Sequence, residues 1–216
     1  MTLNAAPLAS HGTAATGNPV TDAETRHAHW SFFRAGAHER PLVEGFIRRG
    51  FERAYGAHLT LLMPTLMSLR RDADIVAACG LRAAAVEQLF LETYLDQPVE
   101  TALSGATGKS IGRTEIVEVG NLVIARAGHA RRLIFHLTTH LHSTGPAWVV
   151  FTAVPALRNN FRRLGIPLVT LGAADGKRLP AAARAEWGDY YEQAPAVTAV
   201  CVEAAFSAVC EAACTR

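Results

Sequence analysis

The sequence predicts an α/β protein whose mixed sheet is flanked by helices. Three observations point there. Between Glu115 and Gly165, strand-like and helix-like stretches alternate, the pattern of a sheet built through crossover connections. Two apolar runs, residues 66–69 and 75–79, flank the polar residues 70–74 and predict an early antiparallel hairpin. Residues 147–151 (AWVVF) are apolar throughout, as expected of a strand covered on both faces.

The elements follow in order. From Leu42 the apolar positions Val43, Phe46, Ile47, Phe51 and Tyr55 recur at helical spacing. Pro41 suits the first turn of that helix and Gly56 its stop. After the hairpin, residues 83–103 read as one helix, with Pro98 kinking or ending it. Residues 104–113 (SGATGKSIGR) read as a Gly-rich loop and residues 115–124 as a strand. Gly128 breaks the strand, and Leu133, Ile134, Leu137 and Leu141 mark a helix over 129–142. Gly145 and Pro146 stop it. After the AWVVF strand, Pro155 opens a helix that ends at Gly165. Then come a strand over 166–171, a short helix over 180–187, a strand over 197–202 and a final helix.

The chain has 216 residues, 50% of them hydrophobic, which suffices for one full-sized domain. The division expected is a disordered tail over 1–23, a single domain over 24–203 and a helical tail over 204–216. Charge excludes a nucleic-acid binder: the formal net charge is +2, and no long run of Lys or Arg occurs. No apolar stretch is long enough to predict a membrane-spanning helix. The first twenty residues lack the basic and apolar regions of a secretory signal, so a cytoplasmic protein with reduced cysteines at 79, 201, 210 and 214 is expected.

Some motifs are decoys. Gly108-Lys109-Ser110 imitates the end of a phosphate-binding loop, but position 103 is Leu where that motif needs Gly. His136 and His140 have a spacing zinc can use, yet no Cys or carboxylate lies near in sequence. They read as polar histidines on the solvent side of an amphipathic helix, and no metal is expected. No GxSxG elbow supports a serine hydrolase.

Chemistry is concentrated in residues 115–130 (EIVEVGNLVIARAGHA). Strand alternation puts Glu118 and Gly120 on one face, and Val117, Val119 and Asn121 on the other. Gly120 inside a strand signals a bulge or a close backbone approach. Small residues at Gly128 and Ala130 precede a helix, with Arg126, Arg131 and Arg132 around them. Such a helix N-terminus can receive a phosphate or pyrophosphate. An ordinary strand-to-helix turn would look the same.

The order strand, small-residue loop, helix, strand, helix ending in Leu-Gly-Ile resembles the second half of the GNAT acetyltransferase fold. That family grips coenzyme A with a Q/R-x-x-G-x-G/A loop. Gly128 and Ala130 match its last two positions, whereas Ala125 stands where Gln or Arg belongs. Phe161 stands where many of these enzymes carry a proton-donating Tyr. Over residues 40–200 the chain more closely resembles the bacterial thermostable hemolysin family. That likeness rests on residues 75–84 (IVAACGLRAA), 89–100 (LFLETYLDQPVE), 115–122 (EIVEVGNL), 148–165 (WVVFTAVPALRNNFRRLG) and 187–193 (WGDYYEQ). The family is itself similar to GNAT proteins and acyl-homoserine-lactone synthases.

The resemblance implies a GNAT-like N-acyltransferase. No cofactor would be tightly bound; the co-substrate would be acyl-coenzyme A or an acyl-carrier-protein thioester, and the acceptor a small amine or amino acid. Glu118 would accept the amine's proton, directly or through water. Backbone N–H groups of Leu122, Val123 and Ile124 would polarise the thioester carbonyl. Tyr190 or Tyr191 would protonate the departing thiolate. Arg126, Gly128, His129, Ala130, Arg131 and Asn160 would hold the donor. Arg82, Glu92, Tyr94, Glu100 and Asn121 would shape the acceptor pocket, although Glu118 and Arg82 could equally form a structural ion pair. The family name supplies a rival, a protein that lyses membranes directly. A non-catalytic acyl-thioester-binding protein is a third reading.

Overall fold

A computed structural model of the chain describes residues 28–214, with side chains through 212; the tail expected over 1–23 lies outside the described residues. One seven-stranded mixed sheet organises them. Its strands are β1 (Trp30–Arg34), β2 (Thr65–Arg71), β3 (Asp74–Ala83), β4 (Ile116–Ile124), β5 (Trp148–Ala153), β6 (Val169–Ala173) and β7 (Ala196–Cys201). They lie in the order β1-β2-β3-β4-β5-β7-β6. Every neighbouring pair is antiparallel except β4 and β5.

Helix α1 (Arg40–Tyr55) covers one face of the sheet. Val43, Phe46, Ile47 and Phe51 pack there on Leu66, Ala78 and Val123. Pro41 lies in its first turn, and Gly56 ends it at φ +60°. Helix α2 (Val99–Thr107) covers Ile116 and Val150. On the opposite face α3 (Ala130–Thr144) sets Ile134, Leu137 and Leu141 against Val117, Val119 and Phe151. There it is joined by α6 (Val202–Cys214), whose Val202, Ala205 and Val209 enter the same cluster. Helices α4 (Pro155–Arg163) and α5 (Ala181–Ala185) complete the set.

The hairpin, the central strand–loop–helix unit and the apolar β5 are as the sequence predicts. Four details differ. The helix expected over 83–103 is instead a 3-10 turn at Phe90–Tyr94 followed by α2, with Pro98 as the N-cap of α2. Carboxylates of Glu118 and Glu92 take the N–H groups of Leu89, Phe90, Leu91 and Val99, which leaves the helix between them no reason to form. In consequence α2 runs on into the expected Gly-rich loop, and Gly108 of the false phosphate motif is its left-handed C-cap. Strand β6 starts three residues late, because Pro167 has no N–H for the ladder.

The fourth difference is β1, which was not expected at all. It is short and at the sheet edge, but Phe32 reaches α3. His136 stacks on Phe32 at 6.2 Å and His140 meets its edge at 5.9 Å. These histidines are therefore half-buried under an edge strand rather than solvent-facing, and burial lowers both pKa values. Cys79, Cys201 and Cys210 are unpaired thiols; the side chain of Cys214 lies outside the described ones.

Candidate functional site

Strands β4 and β5 run parallel from Ile116–Trp148 only as far as Glu118–Val150. Beyond that rung each strand keeps only the partner on its other edge, β3 for β4 and β7 for β5, and the two part company. At the same place β4 is irregular. Its register against β3 shifts between Ala78 and Gly80, and Asn121 has φ +50°. This changes the predicted alternation. Asn121 turns its side chain to the Gly120 side, where Oδ1 accepts the Met63 N–H at 2.8 Å. A Cβ on Gly80 would lie 2.3 Å from Met63 Cβ, and one on Gly120 would lie 2.4 Å from Met63 Cε. Both glycines are there to admit Met63, the close approach that Gly120 signalled.

A cavity of about 330 Å³ occupies the divergence, inside the ~300–1,000 Å³ range of small-molecule sites. Residues from both faces of the sheet line it. On the α1 side are Glu118, Arg82, Tyr190, Phe90 and Trp187; on the α3 side are Leu133, Ile134, Leu137, Leu141 and Ala205. It therefore passes through the sheet, polar at one end and hydrocarbon-lined at the other.

Glu118 stands at the polar end, only 3% exposed. Its Oε2 accepts the Phe90 N–H at 2.9 Å and its Oε1 the Leu91 N–H at 3.0 Å. Burial pushes its carboxyl up to about 7, against the pull of those two N–H groups and of Arg82. Arg82 is its direct partner across the β3–β4 ladder. No ion pair joins the two among the described residues. Tyr190 lines the same cavity; its hydroxyl donates to Thr152 Oγ1 at 3.1 Å, and burial pushes it up to about 12.

Tyr191 is turned elsewhere. Its hydroxyl meets that of Tyr94 at 2.5 Å, outside the cavity lining. Glu92 and Glu100 are also placed apart. Arg113 Nη1 bridges them at 2.7 and 2.8 Å, and Glu92 also receives the N–H groups of Leu89 and Val99. They brace the turn that carries Phe90 rather than face the cavity. Hydrogen bonds, first from Arg113 and then from Val99 and Leu89, overcome burial and hold Glu92 down to about 2. A carboxyl depressed in the folded state stabilises above its unfolded pKa and loses that contribution as pH falls. Native stability from denaturant titration is thus expected to drop between about pH 4.5 and 2. An Arg113→Met variant should show a shallower drop.

The donor residues read from the sequence form a separate group. Leu122 lines the cavity, while Val123 and Ile124 remain paired with β3. Arg126 precedes a 3-10 turn, Ala127–His129, that leads into α3 at Ala130. Apart from its own chain neighbours, no atom lies within 4 Å of where a Gly128 side chain would begin. Arg131 is committed to the Ala212 carbonyl, and Arg132 lies 4.2 Å over the Trp30 ring. His129 meets Trp30 edge-on, and burial, then Arg126, Arg71 and Arg132, lowers its pKa. Asn160 Nδ2, on α4, is buried without a hydrogen-bond partner.

Several lining residues were not legible as site residues. Trp187 stacks on Phe90 at 5.5 Å and meets Phe51 edge-on at 5.9 Å. Phe90 and Phe51 read only as apolar helix positions, and nothing local links either to residue 187. Phe161, expected in place of a Tyr, does line the cavity, packed 5.2 Å from Phe151.

The sequence model of the family described as thermostable hemolysin matches residues 33–206. No curated protein matches the chain. Among solved structures the chain is similar to FeeM, an N-acyl amino acid synthase from uncultured soil microbes, with 16% identity and a TM-score of 0.55 over 83% of this chain and 93% of that one. It is similar to the acyl-homoserine-lactone synthase LasI, with 10% identity and a TM-score of 0.54 over 82% and 91% of the two chains. TofI, solved with an inhibitor and MTA, gives 12% identity and a TM-score of 0.55 over 83% and 95%. What is shared at these identities is the fold.

Proposed function

The chain belongs to the thermostable hemolysin family, and we propose that it is an N-acyltransferase which moves a fatty acyl group from a thioester to a small amine. The supporting observation is the cavity through the sheet, with a buried carboxylate at one end and a hydrocarbon wall at the other. The acyl chain lies among Leu133, Ile134, Leu137 and Leu141. The thioester sits in the gap between β4 and β5, where backbone N–H groups beyond Glu118 can polarise its carbonyl. Coenzyme A or an acyl-carrier protein supplies the donor as a substrate, its phosphate end beside Gly128 and the start of α3.

The amine arrives as an ammonium. Glu118 takes one proton, leaving a lone pair that attacks the thioester carbonyl carbon. A C–N bond forms and the C–S bond breaks. The second nitrogen proton ends on the departing sulfur, directly or through the Tyr190 hydroxyl. Products are an amide, a free thiol and, once Glu118 is deprotonated again, a proton in solution. The family name fits this chemistry through the product. A fatty chain joined to a polar amine is an amphiphile, and amphiphiles lyse cells. Among the described residues, no helix is long and apolar enough to cross a membrane.

Purified protein incubated with decanoyl-coenzyme A or decanoyl-carrier protein and an amine panel should release free thiol. Red cells should be lysed by the extracted product and not by the protein freed of small molecules. Absence of thiol release with every donor and acceptor would remove the acyl-transfer reading, and lysis by the pure protein would favour a direct action on lipid.

A further inference from the structure

Arg82 is the only Lys or Arg among the described residues lining the cavity. Its own contacts are long. Nη1 is 3.4 Å from the Gln88 carbonyl, and Nε is 3.6 Å from the carboxylate of Glu87, which is 43% exposed. Nε is buried with no hydrogen bond. A guanidinium presents a planar fork of donors, and a carboxylate is the group that satisfies it with two short charge-assisted bonds. Protein groups leave this fork largely unspent, facing a chamber with apolar walls where such bonds are strong.

The position of Arg82 sharpens this. It opposes Glu118 directly in an antiparallel ladder, and both line one cavity. Side chains so paired stand about 5 Å apart at their Cβ atoms. An α-amino acid carries its ammonium and its carboxylate on one carbon, so it matches a neighbouring Glu and Arg with both charges at once. A simple alkylamine would leave Arg82 as it is. Resting on the acyl-transfer reading, we propose that the acceptor is an α-amino acid, its carboxylate held by Arg82 while its nitrogen faces Glu118. Arg82 is then the group that makes the enzyme choose amino acids over other amines.

The test separates binding from turnover. L-Leucine and L-phenylalanine are each compared with their amides and decarboxylated amines, by calorimetric binding without donor and by thiol release with decanoyl-coenzyme A and decanoyl-carrier protein. The native protein should prefer the free acid about 10–100-fold in both measurements. Arg82→Met should lose that preference by weakening the acid alone, with amide binding changed less than about 3-fold. A purely structural role for Arg82 would weaken acid and amide alike. Arg82→Lys, which keeps the charge but loses the fork, should retain part of the preference and guards against a misfolded Met variant. Equal use of acids and amides by the native protein overturns the proposal while acyl transfer stands. Carboxylate-dependent binding with no thiol release upholds the site and removes acyl transfer.

Discussion

Replacing Glu118 by Gln is expected to lower acyl transfer by about 10²–10⁴-fold, the usual contribution of a positioned base. Gln keeps the shape and one acceptor oxygen, so one of the Phe90 and Leu91 N–H groups keeps its partner while the other faces an NH2, and donor binding, made on the far side of the cavity, should persist. The pH profile identifies the role. With a carboxyl near 7, the native rate should rise as pH climbs through about 7 and level off above it, as the carboxylate replaces the acid. That limb should be absent in the Gln variant. An undiminished rate, or an unchanged limb, would remove Glu118 from the chemistry.

The same shift has a thermodynamic counterpart. Glu118 binds its proton more tightly folded than unfolded, so its contribution is fully present below the unfolded pKa and is lost as pH rises through the folded one. A rise from 4.5 to about 7 corresponds to about 3 kcal/mol. Between about pH 4.5 and 7 this group therefore makes the native protein less stable as pH rises, opposite in sign to Glu92, which acts below that range. A carboxylate charged at this buried position is held at a cost to the fold, as sites of reaction often are.

Gly188→Ala is expected to destabilise by about 3–5 kcal/mol, adding overpacking to left-handed strain. Gly188 has φ +53°, and a Cβ there would lie 1.8 Å from the Tyr55 carbonyl oxygen and 2.9 Å from the Gly56 carbonyl carbon. Backbone cannot step aside as a flexible side chain can. The chain on either side would have to withdraw from the end of α1. That breaks the hydrogen bonds from Asp189 N–H to the Tyr55 carbonyl at 3.0 Å and from His58 N–H to the Glu186 carbonyl at 2.7 Å. Trp187 and Tyr190, on either side of this glycine, carry one wall of the cavity, so acyl transfer should fall with stability. Denaturant unfolding gives the comparison. Gly105→Ala, inside α2, is the control, since a Cβ added there would meet nothing within 4 Å beyond its own stretch of helix backbone. It should be stabilising by about 0.5–1 kcal/mol.

Much of the frame was legible because it is written in local periodicity. Apolar residues every three or four positions in α1 and α3, and the uninterrupted β5, identify their elements from their own neighbours. Glu118 could be picked out because the acyltransferases the chain resembles often keep a Glu on that strand. Gly120 announced a close approach. Where reading failed, a distant group had overruled a local preference. The helix expected over 83–103 gave way because the carboxylates of Glu118 and Glu92 claim the N–H groups of its middle. The histidines of α3 changed from solvent-facing to half-buried because β1, short and weakly patterned, lies over them.

By itself, then, the sequence determined the fold class and the order of most elements, since both depend on spacing along the chain, and the family resemblance drew attention to Glu118. Only the tertiary structure decided what that carboxylate faces. The cavity exists because β4 and β5 stop pairing after Glu118 while each stays bound along its other edge, to β3 and to β7. Met63, Phe90 and Trp187 reach it from loops and turns scattered along the chain. Arg82 opposes Glu118 because the β3–β4 register sets them side by side. Spacing along a chain carries no record of such meetings, because they are set by how whole elements pack.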